Sequence, residues 1–177
     1  GMWSWKVRML VAVVALGSAI GLSATLAGQS GAGSPKSDIE WRFFGGDAGA
    51  TRYSSANQIN AANVRDLRVA WRWSARNFGP RPANQMQVSP LVVDGVMYTT
   101  SAWSGVHAID ARTGTALWTF DPKVAKDKAK HTCCDVVNRG VAVWNGQVFF
   151  GALDGRLIAL DAATGKVNWE RKFAKGG

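Results

Sequence analysis

The stretch AIDARTGTALW, residues 108–118, returns as ALDAATGKVNW at residues 159–169, displaced by 51 positions. The correspondence runs upstream without a gap: Asp94-Gly95 falls on Asn145-Gly146, and Val96-Met97-Tyr98 falls on Gln147-Val148-Phe149. A period near 50 residues marks a stacked repeat, because one such unit cannot bury its apolar face alone and gains a core only against neighbours.

Within each unit the punctuation is that of short strands. Asp94-Gly95, Asn145-Gly146 and Asp154-Gly155 are dipeptides that accept the positive φ of a two-residue hairpin. Nine tryptophans and twenty glycines point the same way, since glycine ends helices and aromatic rings suit pleated, half-buried surfaces. Four short strands in a unit of this length is the size of one β-propeller blade.

The shared motif A-x-D-x-x-T-G-x-x-x-W has a mechanical reading. Asp110 and Asp161 are placed to hydrogen-bond the turn backbone, Gly114 and Gly165 take its left-handed position, and Trp118 and Trp169 sit at the unit's edge. An edge indole buries its flat face and its N–H against the next unit. The alternative is an ordinary antiparallel sheet with coincidental tryptophans. Closed propellers need about four to eight blades, so residues 38–177 are expected to be the N-terminal, incomplete part of an all-β propeller.

The first residues stand apart. Lys6 and Arg8 precede an uncharged run from Met9 to Pro35, the pattern of an export signal, and Thr25-Leu26-Ala27 offers a cleavage site after Ala27. Residues 1–27 are therefore expected to be a signal peptide and the protein periplasmic. An uncleaved membrane anchor is the competing reading. Residues 28–37, GQSGAGSPKS, read as a linker.

The whole chain carries +9, and without residues 1–27 it keeps 19 basic against 12 acidic side chains, or +7. An exported basic protein meets anionic small molecules or acidic proteins rather than nucleic acid. After the linker, Asn60 is expected to cap a short helix over Ala61 to Arg65, ahead of a strand-like stretch from Leu67 to Trp73.

Cys133 and Cys134 are the only cysteines, side by side in KHTCCDVVNRG, residues 130–140. In an oxidising compartment such a pair can be a disulfide. A metal site with His131 is an alternative, but zinc ligand pairs are usually spaced by two to four residues. His107 aligns with Ile158 and reads as a packed strand position rather than a base. KVAKDKAKH, residues 123–131, reads as a solvated loop, with a docking patch for an acidic redox partner as the alternative. GGDAG, residues 45–49, is no phosphate loop, because neither Lys-Ser nor Lys-Thr follows.

The repeat resembles the tryptophan-docking motif of eight-bladed quinoprotein dehydrogenases, which use pyrroloquinoline quinone (PQQ). EWRFFGGDAGATRYSSANQINAANVRDLRVAW, residues 40–71, is similar to that family's N-terminal pattern, and SPLVVDGVMY, residues 89–98, to its next strand pair. CCDVVNRGVAVW, residues 133–144, resembles the alcohol dehydrogenase branch, methanol and ethanol dehydrogenases included, rather than the glucose branch.

The resemblance implies a Cys133–Cys134 disulfide packed on one face of the quinone, Arg139 on one of its carboxylates, and Gln87 where alcohol-oxidising members usually carry a glutamate. A bridge between neighbours closes almost no loop. Adjacent Cα atoms lie about 3.8 Å apart, below the usual disulfide span of about 4.4–6.8 Å. Such a bridge would be strained and poor as a staple, but would present a rigid, polarizable surface. The planar guanidinium of Arg139 suits a carboxylate. Glutamine at position 87 keeps a hydrogen-bonding reach and loses the charge.

By the same resemblance the whole protein oxidises primary alcohols by hydride transfer to PQQ, aided by a calcium or lanthanide ion. It passes electrons to a c-type cytochrome and is compatible with a C-terminal haem c domain. The metal ligands and catalytic aspartate are expected in later blades, and the fragment alone is expected to be inactive. The alternatives are a PQQ-dependent sugar or polyol dehydrogenase, and a non-catalytic propeller scaffold of the outer-membrane assembly type.

Overall fold

The structure, a computed structural model, describes residues 40–75 and 85–173. The expected signal peptide and linker lie outside the described residues.

Among the described residues, eight strands form two four-stranded antiparallel sheets. The first contains β1 (Leu91–Val93), β2 (Val96–Thr100), β3 (Val106–Asp110) and β4 (Ala116–Phe120), in that order. The second contains β5 (Ala142–Trp144), β6 (Gln147–Gly151), β7 (Arg156–Asp161) and β8 (Val167–Lys172), again in chain order. The sequence repeat is thus a repeat of four-stranded meanders, and even the irregularities recur. Pairing shifts register between Ala108 and Ile109 in one sheet and between Ala159 and Leu160 in the other.

Two hairpins turn where the dipeptides place them. Asp94 and Gly95 take φ of 51° and 79°, and Asn145 and Gly146 take 46° and 70°. Both central residues are left-handed, which matches the twist of the flanking strands. Asp154-Gly155 behaves differently. Only Gly155 is left-handed, and four residues, 152–155, join β6 to β7. The Asp154 carboxylate is drawn onto Arg156 instead, with both groups mostly shielded from solvent.

The core lies in the middle strands and runs from one sheet into the other. Val106, Ala108 and Tyr98 of the first cluster with Val148, Phe150, Ile158 and Leu160 of the second. Two residues of the connector between the sheets join this cluster, Val124 and Val136. The connector is therefore packed in place at two points rather than draped over the surface.

The N-terminal segment differs from expectation. Val64–Asp66 form a single 3-10 turn, not a helix from residue 61. Asn60 does not cap this turn, whose N-cap is Asn63 with no side-chain capping bond; the Asn60 Oδ1 accepts the Ala62 N–H at 2.9 Å and its carbonyl accepts the Val64 N–H in the turn that leads into it. Residues 67–73 pair with no strand among the described residues, and Leu67 and Val69 stay exposed. Trp41 exchanges two backbone hydrogen bonds with Val92, adding one residue of ladder outside β1. Its ring covers Gly46, so GGDAG is a tight turn under an indole.

Candidate functional site

The docking motif works as its residue types suggest. Asp110 Oδ1 accepts the N–H groups of Arg112 and Thr113, and the Gly114 N–H returns to the Asp110 carbonyl at 2.8 Å. Asp161 binds Thr164 through both the N–H and the hydroxyl, and Gly165 N–H returns to the Asp161 carbonyl at 2.8 Å. These donors hold both carboxyls below the usual carboxylate range, led by Thr113 for Asp110 and by Thr164 for Asp161.

The turn then presents a glycine with φ of 73° or 70° to an incoming ring. A Cβ on Gly165 would lie 2.7 Å from Trp118 Cδ2, and one on Gly114 would lie 2.6 Å from Trp71 Cδ2. Each indole also donates its N–H: Trp118 to the Ala162 carbonyl at 2.9 Å and Trp71 to the Ala111 carbonyl at 3.1 Å. Trp118 thus joins the first sheet to the second.

Trp71 is a docking residue that the sequence reading passed over. Its signal was the Trp at the end of RVAW, in the place Trp118 holds in TALW. Trp169, the third in the series, remains 39% exposed.

The cysteines lie on the connector between β4 and β5. This segment is not simply solvated, since Lys126–His131 form two turns of 3-10 helix. Arg156 ties down its start, donating to the Pro122 carbonyl while its other nitrogens hold Asp154 and Glu170. Asn138 ties down its end: its Nδ2 donates to the Gly151 carbonyl at 2.8 Å, and its own carbonyl accepts the Thr100 hydroxyl at 3.3 Å.

Cys133 and Cys134, between these anchors, and Arg139, directly after the second, are exposed. The two thiols are free, with Sγ atoms 2.6 Å apart. The disulfide is therefore carried by the resemblance and not by the structure. The contact with Cys133 pushes the Cys134 thiol up, and the positive charge of Arg139 pulls against that rise. Arg139 is thus close enough to act on the sulfur electrostatically.

The connector is fastened to the segment that carries Gln87. Asp135 Oδ2 accepts the Gln85 N–H at 2.9 Å, and Gly140 lies against Val88 and Ser89. Gln87 falls between these two contacts, as Arg139 falls between Asp135 and Gly140. Gln87 itself is exposed, and its amide donates to Gln85 Oε1 at 3.1 Å. All four residues assigned to the quinone by resemblance thus stand on two segments held side by side.

His107 is buried at 1% exposure, with Nε2 2.9 Å from Ser101 Oγ and Nδ1 3.2 Å from Thr119 Oγ1. Burial pushes its pKa down to about 4. A neutral, enclosed imidazole on β3 is a packing residue, as its alignment with Ile158 suggested. A cleft of about 360 Å³ opens between the Asp94-Gly95 and Asn145-Gly146 hairpins, lined by Arg42, Tyr98 and Trp144 among others. It lies at the strand ends away from Gln87 and the cysteines. Among the described residues, no three His, Cys, Asp or Glu side chains converge as a metal ion would require.

Four-stranded meanders coupled by a tryptophan laid on the next unit's left-handed glycine define blades of a β-propeller. The PQQ family model described as glucose/ethanol/alcohol dehydrogenase, beta-propeller domain, matches residues 41–177. The chain belongs to this family. It is 50% identical over 137 residues to the quinohemoprotein alcohol dehydrogenase of Comamonas testosteroni, covering 77% of this chain and 19% of that protein. It is 52% identical over 132 residues to 1-butanol dehydrogenase (cytochrome c) of Thauera butanivorans, covering 75% and 18%.

Among solved structures, the Comamonas testosteroni enzyme superposes with a TM-score of 0.68 at 52% identity, over 75% of this chain and 19% of that one. A europium-containing methanol dehydrogenase gives 0.70 at 39% identity, over 78% and 24%. The chain thus spans about a fifth of the length of the curated relatives it matches. Membership in a dehydrogenase family favours the enzyme reading of the repeat over the scaffold one.

Proposed function

We propose that the chain belongs to an exported, periplasmic quinoprotein alcohol dehydrogenase, and that its connector between β4 and β5 forms one wall of the quinone seat. The observation that carries this reading is the joint placement of Cys133, Cys134 and Arg139, exposed on one connector that is hydrogen-bonded to the segment bearing Gln87.

The residues present fit PQQ chemically. Paired sulfurs offer a flat, polarizable face to an aromatic ring system, whether as thiols or as the disulfide that an oxidising compartment favours. Arg139 offers a planar, permanently charged donor to a carboxylate. Gln87 can donate or accept at the rim. When bound, PQQ supplies a two-electron acceptor for the oxidation of a primary alcohol. The work of this chain is to hold the ring, fix its in-plane orientation through Arg139, and keep water from one face.

Calcium or a lanthanide enters this proposal only through other parts of the polypeptide, as do the base, a haem c domain and the surface that meets a c-type cytochrome. The likeness to relatives named as alcohol dehydrogenases, one of them cytochrome c-linked, supports the substrate class and the acceptor.

The test is made in the full-length protein exported with its own leader. Dye-linked oxidation of primary alcohols should depend on added PQQ, and Arg139→Leu should weaken quinone binding by about tenfold or more, as loss of a charge-assisted contact does. Quinone affinity unchanged in both Arg139→Leu and the Cys133→Ser/Cys134→Ser double variant would remove the seat from this connector.

A further inference from the structure

The connector is gripped on both sides of the cysteine pair by one residue of the first blade. Trp103 lies in the loop between β2 and β3, 2% exposed. Its N–H donates to the Val136 carbonyl at 3.0 Å, two residues past Cys134. The face of its indole carries the Lys126 ammonium 4.0 Å from the ring centroid, in the 3-10 helix that leads into the pair. Val136 is fully buried, so the downstream grip is also a packing contact.

The same loop is held in an unusual shape. Trp103 and Ser104 are consecutive non-glycine residues with φ of 60° and 61°. Such conformations persist only where the surroundings over-determine them. The surroundings here are explicit: Ser101 N–H donates to the Gly105 carbonyl at 2.8 Å, and Ser104 Oγ accepts the Leu153 N–H of the second blade at 3.2 Å. Trp103 Nε1 is buried with no hydrogen-bond partner among the described residues, so the indole is not kept for that donor. What the residue supplies is a large ring under Lys126 and a backbone N–H aimed at Val136.

We infer that Trp103 is a positioning residue, whose ring and N–H set the placement of Cys133 and Cys134 by holding the connector before and after them. The inference rests on the proposal that this pair walls a quinone seat. Lys126 acts through Trp103, and neither residue is required to touch the cofactor.

The test uses Trp103→Ala, Trp103→Phe and Lys126→Gln in the full-length protein, with two readouts. One is the Kd for PQQ, titrated into the quinone-free protein. The other is the rate at which iodoacetamide alkylates Cys133 and Cys134 after reduction, with no quinone present. Trp103→Ala should raise the Kd about tenfold or more and shift the alkylation rate by a similar factor. Trp103→Phe keeps an aromatic face under Lys126 and the backbone N–H, losing part of the ring and an unpartnered donor, and should change both by about threefold or less, well below Trp103→Ala. Lys126→Gln should raise the Kd about threefold at unchanged Tm, the worth of an exposed cation–π contact.

Unchanged alkylation in Trp103→Ala overturns the inference. Should that variant fail to fold, Lys126→Gln decides, and wild-type values on both readouts overturn it. Altered alkylation in Trp103→Ala, together with a Kd unaltered both in that variant and in the Cys133→Ser/Cys134→Ser variant, leaves Trp103 as the holder of the pair and overturns the quinone seat instead.

Discussion

The docking turns and the cysteine connector are both sharp, solvent-edge segments, yet they solve the backbone problem in opposite ways. In the docking turns the left-handed positions fall to glycine, at Gly114 and Gly165, and an aspartate carboxylate satisfies the turn N–H groups from within the same few residues. Gly140 aside, the left-handed positions in and around the connector fall to Lys123, Asp135, Trp103 and Ser104. Each costs about 1–3 kcal/mol against an extended or helical conformation, so other contacts must hold it. Parts that repeat follow local preference, and the part that differs between the blades departs from it.

That contrast fixes the size and place of mutational effects. The largest is expected at Gly165→Ala, which puts a methyl 2.7 Å from Trp118 Cδ2 at a φ of 70°. Left-handed strain and overpacking together should cost about 3–4 kcal/mol in denaturant unfolding. Gly95→Ala is the control. Its φ is 79° but nothing lies within 4 Å of the added methyl, so only the strain of about 1–2 kcal/mol should appear. Equal losses at the two sites would break the docking argument.

A buried group inside the first blade should give a pH effect of similar size. His107 binds its proton with a pKa of about 4 when folded, against 6.5 ordinarily. Between those values the unfolded chain takes up a proton that the folded chain does not. Stability is therefore full above pH 6.5 and falls as pH drops through the window, by up to about 3 kcal/mol near pH 4. His107→Gln should flatten that part of the profile relative to the wild-type chain.

Smaller effects separate the two kinds of segment further. Trp118→Phe keeps most of the docked ring and loses the 2.9 Å hydrogen bond to Ala162, at a cost of about 1 kcal/mol. Cys133→Ser/Cys134→Ser, both exposed, should change stability by less than about 0.5 kcal/mol. Should the cysteine pair prove as costly to remove as the docking glycine, it would be a structural element and the comparison would fail.

Legibility in the sequence followed the same division. The repeat, the two left-handed hairpins and the role of Trp118 were readable because each depends on residues a few positions apart, or on one period. Asp154-Gly155 was misread because the carboxylate has a stronger partner in Arg156, which draws it into a longer loop. Trp71 was missed since no full copy of the repeat motif ends at it, Asp66-Leu67 standing where the Thr-Gly would be, and its own strand-like segment pairs with nothing described. Trp103 carries no motif at all. Its importance comes from contacts with Lys126 and Val136, 23 and 33 positions away, which only the folded chain brings together.

One spacing has a consequence for how such a wheel can change over generations. From Leu91 to Gly114 and from Ala142 to Gly165 the chain advances the same 23 positions, whereas Trp71 precedes Leu91 by 20 and Trp118 precedes Ala142 by 24. All the variation in length sits in the joining loop, and none of it in the cog. Teeth of constant pitch can mesh while the loops between them are lengthened and rewritten, so new chemistry can be tried without recutting the gear.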